Sequence, residues 1–267
     1  MIGLFRNRRL ASRLASAWPA TLVAVGSLLS WLQTVPALPA GHDGLCRTES
    51  VGGIDYIVCD VPLDRHQLSL RALDAAGRPY ETFEAAKASM GGRRVDLIMN
   101  AGMYHESRQP VGLAVQDGKT LHGAVLGTGS GNYSLRPNGV FFVENGRAHV
   151  MESTRYLAGK HHPELATQSG PMLLIDGKLH PRFIETSDSR NIRNGVCARE
   201  DGRLVTLVLS RAPVNFYDFA SVFKDRLGCR DALFFDGTIS SLYYPAGGID
   251  YRRDRLGPML VVTDRRR

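Results

Sequence analysis

Four Asx-Gly dipeptides, each set between short runs of apolar and β-branched residues, constrain the fold of this chain more than any other feature. They are Asp117-Gly118, Asn145-Gly146, Asp176-Gly177 and Asp201-Gly202. A two-residue hairpin turn that follows the twist of its strands needs positive φ at its central residues, and Asx-Gly supplies this at least steric cost. The turns therefore predict hairpins, with strands at Val111–Gln116, Gly139–Val143, Pro171–Ile175 and Leu204–Leu209. Two helices are expected, near Thr82–Met90 before Gly91-Gly92 and near Asn215–Leu227 before Gly228. In the second, Phe216, Phe219, Ala220, Phe223 and Leu227 recur at helical spacing, which marks a face turned to the core rather than a cofactor box. No low-complexity linker or repeat divides residues 44–264. The expected fold class is α+β: a single domain over residues 41–267 with a mixed, largely antiparallel β-sheet and packed helices.

Residues 1–40 read as a signal peptide. A basic start is followed by an apolar stretch from Trp18 to Leu32 and by small residues that suit cleavage after Ala37 or Ala40. The alternative is an uncleaved anchor, which would be the chain's one tie to a membrane. Either way the domain is expected outside the cytoplasm, periplasmic or secreted. Arg6, Arg8, Arg9 and Arg13 account for four of the formal charge of +7. Much of the rest lies in Arg252, Arg253, Arg255 and the terminal Arg265–Arg267, a solvated face or tail. With no basic-aromatic array to stack bases, no nucleic-acid partner is expected. Cys46, Cys59, Cys197 and Cys229 all follow the cleavage sites, as suits an oxidising compartment. Of three pairings, Cys46–Cys59 is favoured, because Gly52-Gly53 can turn a hairpin between them, together with Cys197–Cys229. Free buried thiols are the alternative. The spacing contains no Cys-x-x-Cys, so zinc is not expected.

Two apolar runs lead straight into polar segments. Val95–Met99 precedes Asn100, and Ala232–Phe235 precedes Asp236-Gly237. A buried strand that ends in Asn or Asp places a polar group at a sheet rim, on a rigid support. The plain alternative is a turn residue that caps its strand.

Six segments occur in an order that resembles the phosphodiester glycosidase family, in its bacterial periplasmic branch. They are Asn100-Ala-Gly-Met-Tyr104, Gln109-Pro-Val-Gly-Leu113, Pro137-Asn-Gly-Val-Phe141, Gln168-Ser-Gly-Pro-Met-Leu173, Ile192-Arg-Asn-Gly-Val196, and Leu227 through Asp236-Gly-Thr-Ile-Ser240 to Ser241. The resemblance spans roughly residues 65–264. Where the family's better-characterised branch has a Gly-rich Asp-Gly-Gly-Gly-Ser, this chain has Thr238 and Ile239.

The resemblance implies hydrolysis of a sugar-1-phosphodiester, or a related linkage of envelope or exopolysaccharide glycans. A sugar-phosphate or polysaccharide is the partner, with no cofactor and no metal. Ordinary glycosides need a general acid for the leaving alkoxide, hence two carboxylates. Phosphate is already a weak base, so one carboxylate suffices if cationic and N–H donors hold the phosphate. Asp236 would be that carboxylate, Arg193 the cation with Arg190 as a further candidate, and Asn100 a donor. Ser169, Gly170, Gly237 and Ser240 would line the substrate site. His105 is a candidate base or an ordinary loop residue, and Asp188 a site residue or a turn cap. In an ordinary O-glycosidase, Asp188 or Glu185 would oppose Asp236. His161-His162, before Pro163, reads as loop. Ser169-Gly170 is no nucleophile elbow, which argues against a serine hydrolase. A glycan-binding protein that keeps the fold without turnover is the non-enzymatic reading.

Overall fold

The computed structural model describes residues 34–38, 44–126 and 131–265. Most of the expected signal peptide, with its apolar stretch, lies outside the described residues. No helix among the described residues is long and apolar enough to cross a membrane. The strands form three sheets. The largest runs, in spatial order, Cys46–Val51, Ile54–Pro62, Leu204–Ser210, Asn194–Arg199, Ala232–Phe234, Met172–Ile175 and Lys178–Leu179. The second runs Ile249–Tyr251, Leu242–Tyr244, Val95–Asn100, Met259–Asp264 and His66–Arg71. The third runs Lys119–His122, Ala114–Gln116, Leu165–Ser169, Gly139–Glu144 and Arg147–Glu152.

The chain is mostly sheet, about 42% strand against 15% helix. The expected mixed sheet with substantial packed helices is thus only roughly met. Every strand pair among these sheets is antiparallel, and the α-helices span six residues each. Three of the four Asx-Gly turns have the expected paired positive φ: 52° and 75° at Asp117-Gly118, 52° and 70° at Asn145-Gly146, 49° and 76° at Asp176-Gly177. The fourth is wider, since Glu200 joins Asp201 and Gly202 at positive φ in a short 3-10 turn. The first expected strand is shorter than its apolar run, covering Ala114–Gln116 only.

The helix at Phe216–Ser221 begins where expected. The Asn215 side chain accepts from Asp218 N, which satisfies one of the orphan amides of the first turn. It then widens into a π-turn at Val222–Arg226 before Gly228, at φ 65°. The helix Ser153–Ala158 was not expected. Its cap is Glu152, whose carboxylate accepts from Thr154 N and Arg155 N.

Alternation along the strands divides the core. Ile57 and Cys59 face the main core with Val196, Leu207, Leu209, Leu233 and Phe235, where side chains of the other two sheets meet them. Tyr56, Val58, Cys197 and Val208 face the opposite side and pack under Phe219, Ala220 and Phe223 of the helix. Burying Phe219 and Phe223, both 0% exposed, contributes on the order of 2–3 kcal/mol each. Both favoured disulfides form: Cys46–Cys59 directly across the first hairpin, and Cys197–Cys229 from the largest sheet to the segment after the π-turn.

Candidate active site

Three strand ends converge. Val95–Asn100 ends at Asn100, Asn194–Arg199 begins at Asn194, and Ala232–Phe234 runs through buried Phe235 to Asp236. Phe235 N donates to Asn194 O at 3.0 Å, which carries the chain's last ladder bond to the site. Asn100 and Asn194 are both 0% exposed and face one another. Asn194 Nδ2 donates to the carbonyl and to Oδ1 of Asn100, at 3.0 Å each. The remaining valences of Asn100 hold the two ends of one turn: Nδ2 donates to Asp236 O at 2.9 Å, and Oδ1 accepts from Ser241 N at 2.8 Å. Ser240 Oγ closes the network, 3.3 Å from both Ile192 O and Asn194 Oδ1. The turn that carries Asp236 is thereby fixed by buried, mutually satisfied amides, which is a rigid arrangement.

Gly237 is required by space. A Cβ there would stand 2.9 Å from Phe234 Cζ and 3.0 Å from the Ile192 carbonyl. Ile239, the side chain that departs from the family's Gly-rich motif, is 6% exposed and packs with Phe83, Ile98, Leu256 and Met259. It turns into the core, away from the rim. Asp236 itself is half-buried. Its carboxylate acts on Tyr104, whose hydroxyl is pushed up to about 12, by burial first and by the Asp236 charge second.

Arg193 is 1% exposed. Its Nε donates to Val214 O at 2.8 Å and its Nη2 to Ser189 O at 3.0 Å. The guanidinium lies 3.6 Å over the Phe216 ring and 5.5 Å from the Phe234 ring, the same ring that crowds Gly237. Burial pulls its pKa down to about 10, so it remains a cation at neutral pH. Among the described residues it forms no ion pair with a carboxylate.

Of the other expected residues, Ser169 is 0% exposed, and its Oγ has no hydrogen-bond partner among the described residues. Gly170 is packed so closely on Asn138 that a Cβ would collide with it, and Pro171 O accepts from Phe234 N at 3.1 Å. Arg190 pairs with Asp218 at 3.2 Å. His105, Glu185 and Asp188 are exposed. The geometry thus joins Asn100, Asp236, Gly237 and Ser240 in one network, sets Arg193 behind it across Phe234, and leaves His105, Asp188 and Glu185 on surface loops.

Residues not singled out from sequence also belong here: Asn194 as the partner of Asn100, Phe216 and Phe234 as the rings flanking Arg193, and Tyr104 beside Asp236. Asn194, Tyr104 and Phe234 fall within the segments that carry the family resemblance, whereas the helical spacing of Phe216 marks it as core. Among the described residues, five surface cavities of about 380 to 710 Å³ lie elsewhere on the molecule. Among the described residues, one group of three could hold a metal: His66, Asp96 and Asp264, with ligand atoms within 4.8 Å of one another. It lies toward the other end of the Val95–Asn100 strand, and Arg94 already bridges both its carboxylates, at 3.0 and 2.6 Å.

The chain is similar to known proteins in three ways. The zebrafish N-acetylglucosamine-1-phosphodiester alpha-N-acetylglucosaminidase catalytic domain, solved in a form auto-inhibited by its pro-peptide, shares the fold: the TM-score is 0.59 over 88% of each chain, at 15% identity. The Escherichia coli (strain K12) protein YigE, itself uncharacterized, is 37% identical over 189 residues, which are 70% of this chain and 74% of YigE. The sequence pattern of the phosphodiester glycosidases matches residues 93–262, a stretch that takes in Asn100, Arg193 and Asp236. On these grounds the chain belongs to the phosphodiester glycosidase family.

Proposed function

We propose that the protein is an exported hydrolase that cleaves a sugar-1-phosphodiester, or a related glycosidic linkage of envelope or exopolysaccharide glycans, with Asp236 as its one catalytic carboxylate. The observation that carries this reading is the presentation of Asp236: a half-buried carboxylate on a turn whose two ends are clamped by Asn100. Such a turn holds a reacting group in place without relying on the ligand. Asp236 would act on water or on the anomeric carbon as oxocarbenium character develops. The phosphate leaves as a weak base, so no second carboxylate is needed. That agrees with the position of Glu185 and Asp188 on exposed loops.

Arg193, charged and buried behind Phe234, would favour an anionic substrate, because a cation in a low-dielectric setting acts over a longer range than one in water. Asn100 would position Asp236, and Ser240 would hold the asparagine pair in register. Export is supported by the basic-then-apolar start and by two disulfides.

The test is turnover of a panel of sugar-1-phosphodiesters and neutral aryl glycosides by the purified domain, with Asp236→Asn alongside. Asn keeps most local hydrogen bonds but cannot serve as base, nucleophile or cation stabiliser. A rate fall of roughly 10²-fold or more is expected, the scale of lost acid–base catalysis, with little change in Tm. Near-normal turnover by Asp236→Asn refutes the assignment. Binding of panel glycans with no turnover of any would instead select glycan binding without turnover.

A further inference from the structure

A phosphate that enters from solvent needs a cation it can reach, and Arg193 is enclosed: 1% exposed, with Nε and Nη2 already donating to backbone carbonyls. Arg190 is committed to Asp218, at the start of the Phe216–Ser221 helix. The loop that leaves Asn100 supplies a third guanidinium. From Asn100, whose Nδ2 holds the Asp236 carbonyl, the chain passes through Met103, packed on the cluster that contains Phe234, to Tyr104, packed on the cluster that contains Ile239. It then makes a tight excursion closed by the Tyr104–Pro110 bridge, with His105 N donating to Gln109 O at 2.9 Å and Arg108 N to His105 O at 2.7 Å.

Arg108 sits on that excursion at φ 64°, a conformation costly for a residue with a Cβ. The backbone there turns the side chain back over its own loop, and its Cζ lies 5.0 Å over the Tyr104 ring. Tyr104 in turn fits against Gly257, where a Cβ would collide with the ring, and its hydroxyl donates weakly to Arg255 O at 3.4 Å. The ring is thus held by Arg108 and by the close approach of Gly257.

We propose that Arg108 is the solvent-reachable guanidinium that binds the substrate's phosphate beside Asp236, with Tyr104 as the platform that aims it. This rests on the phosphodiester reading given above. Three observations support it. The Arg108 side chain is 22% exposed, enough for a ligand to reach and too little for free rotation. Its one acidic partner among the described residues, Asp254, is 56% exposed and 3.4 Å away, a long contact that water screens and that a phosphodiester anion, meeting the fork with two oxygens, can outcompete. Tyr104 packs on the cluster that holds Ile239, three residues after Asp236, and follows Asn100, which bonds the Asp236 carbonyl; its hydroxyl accordingly lies within the field of the Asp236 carboxylate. An arginine suits the task because its planar fork meets two phosphate oxygens at once, which a lysine cannot do.

The experiment compares wild type with Arg108→Gln and Arg108→Lys on a sugar-1-phosphodiester and on a neutral aryl glycoside of the same sugar. In parallel, binding of inorganic phosphate is measured by calorimetry. The expected result is a KM rise of roughly tenfold on the phosphodiester for Arg108→Gln, and a smaller one for Arg108→Lys, which keeps the charge without the fork. KM on the neutral glycoside changes less than about twofold, and phosphate binding weakens in parallel with the phosphodiester KM. Equal effects on both substrates, or none, overturn the assignment. If Arg108→Gln fails to fold, Arg108→Lys carries the comparison with its Tm checked. If wild type turns over neither substrate, the hydrolase reading fails alone. Phosphate binding lost in Arg108→Gln then upholds the Arg108 site. Binding that is absent in wild type, or unchanged in the variant, overturns it.

Discussion

The Asn100→Ala substitution tests whether the asparagine pair is what fixes the catalytic turn. Removing the carboxamide strands two buried groups at once: the Asp236 carbonyl, bonded at 2.9 Å, and the Ser241 N–H, bonded at 2.8 Å. Asn194 Nδ2 keeps one partner, the Asn100 carbonyl at 3.0 Å, so it adds little to the cost. A stranded buried group costs about 1–3 kcal/mol, so the two together cost about 2–6 kcal/mol. Against the roughly 5–15 kcal/mol that holds a domain together, this is a large fraction. Urea unfolding followed by circular dichroism reads it as a fall in the midpoint at constant slope.

A second arm uses Asn194→Ala and the double variant. Because the two side chains bond each other, the double loss should be smaller than the sum of the single losses by about 0.5–3 kcal/mol. In Asn100→Ala protein that remains folded at low temperature, turnover should fall because the Asp236 turn is released. A midpoint shift equivalent to less than about 1 kcal/mol, or strict additivity with Asn194→Ala, refutes the argument that these amides clamp the turn.

Three further outcomes follow from the same geometry. Arg193→Lys keeps the charge but removes the Arg193 donors to Ser189 O and to Val214 O, which keeps Asn191 N, and loses the stack on Phe216, so the domain should lose about 1–3 kcal/mol, and an unchanged urea midpoint refutes this. His180, 1% exposed, has Nε2 2.8 Å from Arg136 O and accepts the Arg182 N–H on Nδ1 at 3.2 Å, an arrangement that needs the neutral ring; burial holds its pKa below the usual value of about 6.5, so stability is full above about pH 6.5 and declines as pH falls toward the folded-state pKa, and an NMR titration of the ring with a midpoint at or above about 6.5 refutes it. Export with cleavage after Ala37 or Ala40 predicts a mature chain beginning at residue 38 or 41, without Val35, whose side chain is buried in the main core; N-terminal sequencing that reads Met1, or any start before Thr34, refutes the cleavage.

The sequence by itself determined what acts over a few residues. The Asx-Gly pairs at 117–118, 145–146 and 176–177 set their hairpins because φ preference is a property of the residue. The Asn215 cap and the period of Phe219 and Phe223 placed a helix face on the core for the same kind of reason. Even the pairing of Cys46 with Cys59 was legible, since the Gly52-Gly53 turn lies between them. The helix capped by Glu152 was missed, because an acidic side chain capping two amides leaves no apolar period to read in six residues.

What only the tertiary structure decided is long-range. Asn100 and Asn194 are 94 residues apart and Asn100 and Asp236 are 136 apart, so no local pattern could tell that one carboxamide holds the turn at the other motif. The family resemblance of Ile192-Arg-Asn-Gly-Val196 implied Arg193 as a phosphate ligand. The fold enclosed it under Phe216, beside carbonyls of segments at 189 and 214, and left Arg108 reachable on the loop from Asn100. Ile239, which sequence placed next to the site, turned into the core because its neighbours there, Phe83 and Leu256, come from distant segments of the chain. Residue chemistry fixes what a side chain can do, but its exposure and its partners are set by how the three sheets stack, and that depends on every strand at once.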